Sequence, residues 1–323
     1  TLSQNKLPEF RILNSELFIL FLHIFFAFCY IFSMLHIGYH ESTSKGLEGL
    51  ALEALSVGAD TFAFFTRNPR GGKAKAIDLE DAAKLCKLMN ENNFASPVAH
   101  APYTMNPCSA DEGLRKYALD MMIADLLYLE NIPGCFYNFH PGSHVGQGSD
   151  VGIDFTSTLI CEALKQAESK INANCKTKLL VETMSGKGSE IGRNFDEVAL
   201  ILQKAEEKYG SSLKDKVGVC LDTCHIWDGG YDIVNNLDDV LAEFDKKIGI
   251  DRLCAIHLND SMNDFDTHKD RHQKLGQGKI GLQALVNVIN HPLLKNLPFI
   301  LETPNEHDGY KAEIETLKNQ FRG

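Results

Sequence analysis

The chain has 323 residues, 44% hydrophobic and 23% charged, and its 32 Lys and Arg against 43 Asp and Glu give a formal charge of -11. That excludes a small disulfide-stapled module, a collagenous or disordered chain and a polybasic nucleic-acid tail. An acidic balance also argues against a phosphate-backbone partner, because such affinity comes mainly from Lys and Arg neutralising phosphates.

Leu17 to Leu35 reads LFILFLHIFFAFCYIFSML, interrupted only by His23 and Ser33 and holding six of the nineteen Phe. By length it could span a bilayer, yet its flanks are weak: Lys6 and Arg11 are offset by Glu9 and Glu16, and no small-x-small cleavage site follows. Three readings stay open: a segment foreign to the folded domain, a membrane anchor or targeting signal, and a buried helix. The expected division is an apolar extension over 1–36 and one folded domain over 37–323.

From residue 35 onward a short apolar run, a polar loop and a helical stretch alternate. The runs are LHIGY (35–39), TFAFF (61–65), SPVAH (96–100), CFYNF (135–139), KLLVE (178–182), VGVCLD (217–222), LCAIHL (253–258) and PFILE (298–302). Between them, stretches 45–58, 79–92, 113–130, 154–172, 194–210, 237–249 and 281–290 place apolar residues three or four apart, as one buried helix face requires. Near-continuous apolar strands separated by helices predict a parallel sheet covered by helices. Eight such units without a Pro/Gly/Ser-rich linker predict a single α/β domain, a (β/α)8 TIM barrel, with a doubly wound open sheet as the rival. The nine cysteines are odd in number and scattered, with no Cys-x-x-Cys, which suits a reduced intracellular chain. The closest pair, Cys220 and Cys224, reads as buried small apolar residues in preference to zinc thiolates.

His, Asp and Glu fall on this map in a pattern. His100 ends the third run, His140 follows the fourth, Glu182 ends the fifth and Asp222 the sixth, with His225 three further on; His257 closes the seventh and Glu302 the eighth. Asp270 and His272 lie in the next loop. In a parallel barrel all carboxyl ends of strands open on one face, so these side chains converge on one mouth. A lone His at a strand end is more often a hydrogen-bonded structural residue. Nine imidazoles and carboxylates on one rim, without matching Lys or Arg, need compensating cations. Mixed N/O donors favour zinc or manganese, and so many donors favour two or three ions.

The blocks His100-Ala-Pro-Tyr-Thr-Met-Asn, Asn138-Phe-His140-Pro-Gly-Ser-His144, Val181-Glu182-Thr-Met-Ser-Gly-Lys-Gly, Val219-Cys-Leu-Asp222-Thr-Cys-His225, His257-Leu-Asn-Asp, Asp270-Arg-His272, Leu275-Gly-Gln-Gly-Lys-Ile-Gly281 and Leu301-Glu302-Thr closely resemble the endonuclease IV family, the zinc-dependent apurinic/apyrimidinic endonucleases. The resemblance runs in order from about Ile37 to the carboxyl end; residues 1–36 have no counterpart in it. It implies three zinc ions per chain, with manganese an alternative at one or more sites. His100, His140 and Glu182 would hold one, Glu182 would bridge to a second held by Asp222, His257 and Glu302, and His225, Asp270 and His272 would hold the third. His40, in Ile37-Gly-Tyr-His40-Glu-Ser, also matches the family but not at a ligand position, so a structural or DNA-proximal role is expected.

The resemblance further implies hydrolysis of the phosphodiester 5′ to an abasic site in double-stranded DNA, leaving a 3′-hydroxyl and a 5′-deoxyribose phosphate, with 3′-end trimming as a companion activity. Glu182 would position the metal-activated water, whose pKa the ions lower. A missing base has already lost its stacking, so extruding the lesion itself selects the substrate. Arg70 matches the residue the family inserts into the duplex and Tyr103 its wedging aromatic; Asn68 lies in the same loop and is expected to touch DNA. Thr104 departs from the apolar wedge of some members. Without the metal motifs, Arg67, Arg70, Lys73 and Lys75 would read as a solvated loop. The expected protein is an intracellular monomer acting at DNA, and three divalent ions would offset about half of its negative charge. The rivals are a two-metal sugar isomerase or epimerase on the same barrel, which has no use for His225, Asp270 and His272, and a non-catalytic binder of damaged DNA or membrane-tethered scaffold.

Overall fold

A computed structural model describes residues 34–72 and 76–323. Nearly all of the apolar run 17–35, and Lys73 and Lys75, therefore lie outside the described residues. Leu35–Arg322 forms one compact unit, and no helix among the described residues is long and apolar enough to cross a membrane.

Each predicted apolar run overlaps a strand: β1 (Ile37–Glu41), which runs two residues past its prediction, β2 (Ala63–Phe65), β3 (Val98–His100), β4 (Phe136–Phe139), β5 (Lys178–Glu182), β6 (Val217–Asp222), β7 (Leu253–His257) and, eighth in the barrel, β10 (Phe299–Leu301). Neighbouring strands pair in parallel, and the ring closes where Ile37, Gly38 and Tyr39 of β1 lie beside Phe299, Ile300 and Leu301 of β10. The sheet is therefore a closed barrel, and the open-sheet alternative falls. Burial on both sides explains why these runs lack polar alternation. Ala63, Val98, Leu180, Cys220, Ala255 and Ile300 fill the lumen, while their neighbours, such as Phe64, Tyr137, Leu179, Val219 and Phe299, pack outward under the helices. Away from the mouth both faces of the strands are largely dry and therefore apolar.

The helices follow their local signals. Asp78, Asp111 and Asn194 accept backbone N–H groups of the first turns of helices Leu79–Glu91, Glu112–Leu129 and Phe195–Tyr209, filling orphan donors there. Helix Ser149–Ile171 starts five residues before the predicted stretch, because Ser149, Asp150 and Gly152 read as a loop; it ends at Asn172 in the left-handed conformation. Several short elements and the last helix went unread. Thr223–Asp228 is a short helix directly after β6, His307–Gln320 closes the chain, and β8 (Asp260–Ser261) pairs antiparallel with β9 (His272–Gln273). Two-residue strands are too short to show any period in a sequence.

Candidate metal centre

All nine residues singled out at the strand ends reach the carboxyl-terminal mouth of the barrel, where their donor atoms gather into groups. His100, His140 and Glu182 form one; Glu182, Asp222, His257 and Glu302 a second; His225, Asp270 and His272 a third. Glu182 belongs to two groups because its two oxygens diverge. Oε2 lies 3.2 Å from His100 Nε2 and 3.3 Å from His140 Nε2, while Oε1 lies 3.1 Å from His257 Nδ1. Across the second group His257 Nδ1 is 3.2 Å from Glu302 Oε2 and 3.9 Å from Asp222 Oδ2. In the third, His225 Nε2 and His272 Nε2 stand 3.2 and 3.6 Å from Asp270 Oδ1.

Local structure aims these atoms. His100 Nδ1 lies 2.6 Å from the carbonyl of Ala101, His225 Nδ1 2.8 Å from that of Thr183, and His272 Nδ1 3.2 Å from that of Glu302. A carbonyl beside Nδ1 fixes the proton there and leaves Nε2 as the free donor. Asp222 divides its work: Oδ1 accepts the His225 N–H and caps the short helix Thr223–Asp228, and Oδ2 faces the site. The same cap explains why His225 follows Asp222 by three residues.

The residues fit divalent ions. Separations of 3.2–3.3 Å between imidazole nitrogens and carboxylate oxygens match the roughly 3.3–3.4 Å edge of a tetrahedron with donors about 2.0–2.1 Å from its centre. His272 Nε2 is buried without a hydrogen-bond partner although it points at two carboxylates. Burial would push the Glu182 carboxyl up, but His257 and His140 hold it well below the usual carboxylate range; Glu302 is held down in the same way, chiefly by His257. The acids thus stay charged in a dry site, which demands positive charge from protons on histidine or from metal. Cys224 also comes within reach of Asp222 and His272. Burial, and then the charge of Asp222, push its thiol far above the usual range, so it is a protonated core residue and a poor ligand.

Partners that sequence reading missed orient the set. Asn138 Nδ2 donates to Glu182 Oε2 at 2.6 Å, and Asn259 Nδ2 donates to Asp222 Oδ2 at 2.7 Å while its Oδ1 accepts the Glu302 N–H. Both asparagines sit inside recognisable blocks, Asn138-Phe-His140 and His257-Leu-Asn259, which was the only signal. Buried Asp228 accepts the Asp270 N–H at 2.7 Å and Ser261 Oγ at 2.9 Å, pinning the loop that brings Asp270 to the mouth. Asp260 gathers the N–H groups of Ser261, Gly276, Gly278, Ile280 and Gly281. This is the reason for Gly-x-Gly-x-x-Gly over 276–281: a Cβ on Gly278 would lie 2.3 Å from Ser261 O and 2.4 Å from Asp260 Oδ1. His40 keeps off the ligand set, its Nδ1 lying 2.9 Å from Glu302 Oε1 and its ring tilted over Phe65.

Of the residues assigned to DNA, Tyr103 is 59% exposed and stands 5.7 Å, ring to ring, from His100 and 5.9 Å from His140, beside the first group. Arg70 is exposed. Asn68 is exposed too, but its Oδ1 accepts the Arg70 N–H at 2.9 Å, so its side chain shapes the turn that projects Arg70. Arg67 corrects the solvated-loop reading: its side chain is 5% exposed and ion-paired to Asp125, because a buried carboxylate below the loop requires a cation.

Comparison with known proteins agrees with this geometry. Residues 51–320 match the family described as xylose isomerase-like TIM barrel. A probable endonuclease 4 from Clostridium botulinum is 56% identical over 289 residues, covering 90% of this chain and all of the relative. The crystal structure of endonuclease IV from Thermus thermophilus superposes with a TM-score of 0.77 at 28% identity, covering 88% of this chain and 98% of that one. A D-tagatose 3-epimerase-like protein, covering 88% and 97%, has a TM-score of 0.62 at 18% identity and shares the fold alone. The chain therefore belongs to the xylose isomerase-like TIM-barrel family and, within it, to the deoxyribonucleases of the endonuclease IV type.

Proposed function

We infer that the protein cleaves double-stranded DNA on the 5′ side of abasic sites with three zinc ions, and trims blocked 3′ ends at the same centre. One observation carries this reading: three donor groups at one barrel mouth, two of them joined through Glu182. His100, His140 and Glu182 would hold one ion, Glu182, Asp222, His257 and Glu302 a second, and His225, Asp270 and His272 the third. Bound ions would lower the pKa of water and draw charge from a phosphate. The rest is the chain's work. Glu182, fixed by Asn138, presents one oxygen to each neighbouring group and so sets where a nucleophile can stand. Tyr103 presents an aromatic face beside the first group, suited to packing against an extruded sugar, and Arg70 projects from a turn that Asn68 shapes. The third group, His225, Asp270 and His272, favours a nuclease over a two-metal sugar epimerase.

We further read the folded domain as beginning near Ile37, the first 36 residues lying outside the catalytic unit, and the enzyme as a monomer acting inside the cell on DNA. The test is metal analysis together with a duplex carrying one synthetic abasic site. Three zinc per chain and a new 3′-hydroxyl end are expected. Zinc-loaded protein that leaves the duplex intact while epimerising a ketose refutes the reading.

A further inference from the structure

Arg67 leaves the end of β2 beside the mouth, yet its guanidinium turns inward instead of toward solvent. It pairs with Asp125, a carboxylate with no exposure on the helix Glu112–Leu129. Nη2 also donates to the Met121 carbonyl at 3.3 Å, and Tyr137 on β4 donates from its hydroxyl to the other Asp125 oxygen at 2.8 Å. Meanwhile Nη1 donates to the Gly72 carbonyl at 3.2 Å, so one side chain ties both ends of the loop 67–72 to the barrel wall. The same helix supplies a second tie, Tyr117, whose hydroxyl accepts the Gly72 N–H at 3.2 Å.

The loop is in turn joined to its neighbour. The Tyr103 N–H donates to the Pro69 carbonyl at 3.0 Å, and Gly71, at φ +91°, lets Thr104 approach so closely that a Cβ there would stand 2.7 Å from Thr104 Oγ1. Arg70 and Tyr103 are therefore carried on two segments joined by a backbone hydrogen bond and a close contact, and the first of them is anchored on Asp125 through Arg67. A buried ion pair contributes little net stability, and apolar residues of similar volume do as well or better. What the pair supplies that apolar residues cannot is a directed, multiply bonded anchor for a guanidinium.

We propose that Asp125, with Arg67 and Tyr137, is a positioning device that sets the height and spacing of Arg70 and Tyr103 over the metal centre; it rests on the reading of those two residues as DNA contacts. Asp125 touches neither substrate nor metal, and acts through the loops alone.

The test uses zinc-loaded full-length protein with three variants: Asp125→Asn, Tyr137→Phe and the double change Arg67→Met with Asp125→Leu, which replaces the pair by apolar bulk. Amide hydrogen exchange of the DNA-free protein needs no substrate, so it reads the anchor independently of the abasic-DNA reading. Faster exchange at Arg70, Gly71 and Tyr103 together, with β4 to β7 unchanged, is expected in Asp125→Asn and in the double variant. On an abasic duplex both should raise KM about tenfold or more at near-constant kcat and zinc content, with a smaller rise in Tyr137→Phe. Recovery of wild-type KM and exchange by the double variant would mean that the pair merely fills space, and it overturns the proposal. Exchange that quickens in 67–72 but not at Tyr103 overturns the coupling. Wild-type protein that fails to cut the duplex sinks the functional reading instead, and the exchange result still decides the anchor.

Discussion

Glu41 ends β1 with 5% of its surface exposed, and neither carboxylate oxygen has a hydrogen-bond partner. Lys45, a cation that acts on it, is engaged with Glu53 at 2.6 Å. Burial, and then the charge of Glu53, push the Glu41 carboxyl up to about 9 from 4.5. The sign follows from linkage. The folded protein holds a proton that the unfolded chain has lost above pH 4.5, so stability falls as pH rises from about 4.5 to about 9. At pH 7 the gap of about 2.5 units corresponds to roughly 3 kcal/mol, and at pH 5 to less than about 1 kcal/mol. Glu41→Gln keeps the shape and removes the titration. Its stability relative to wild type should therefore climb by about 1.4 kcal/mol per pH unit between pH 5 and 8. Urea unfolding of both proteins at matched free zinc measures this, since metal linkage is common to the two and cancels in the difference. A difference that stays flat with pH would show Glu41 ionised and satisfied in the fold, and would refute the reasoning.

Three further outcomes are expected. Glu182→Gln should abolish cleavage of an abasic duplex while lesion binding measured by fluorescence anisotropy stays within about threefold; unchanged turnover would remove Glu182 from the chemistry. Asp260→Ala strips one acceptor from five backbone N–H groups and should cost upward of about 3 kcal/mol in unfolding free energy; a loss below about 1 kcal/mol would mean that the 276–281 loop holds itself. In metal-free protein, burial tends to lower the His225 and His257 values, but ionised carboxylates facing them, Asp222 for His225 and Glu302 with Glu182 for His257, raise both well above the imidazole range. Zinc entry at pH 7 must displace those protons, so affinity should fall as pH drops. Calorimetry in two buffers of different ionisation enthalpy should detect proton release, and its absence contradicts the site.

The distribution of legible and illegible features has a physical pattern. The strands could be read because a barrel strand is dry on both faces, and its apolar run ends abruptly where the mouth begins. His100, Glu182, Asp222 and His257 stand at those ends, so their convergence followed once the strands were taken as parallel. Arg67 could not be read in this way: a loop arginine near Arg70 looks like a solvated cation, and only the carboxylate of Asp125, fifty-eight residues away in sequence, makes it an anchor. The glycines of 276–281 marked a tight loop but not its content, the Asp260 carboxylate.

Sequence alone determined the repeating strand and helix order, the donor types at six of the strand ends, the family and the acidic balance. Each of these depends on local pattern or residue identity, which the chain carries without folding. Tertiary structure decided the closure of β1 on β10, the divergence of the two Glu182 oxygens toward two of the donor groups, and the roles of Asn138, Asn259, Asp228 and Arg67. Those depend on which atoms meet across the barrel and at what distance, and pairings between residues tens to hundreds of positions apart exist only once the ring has closed.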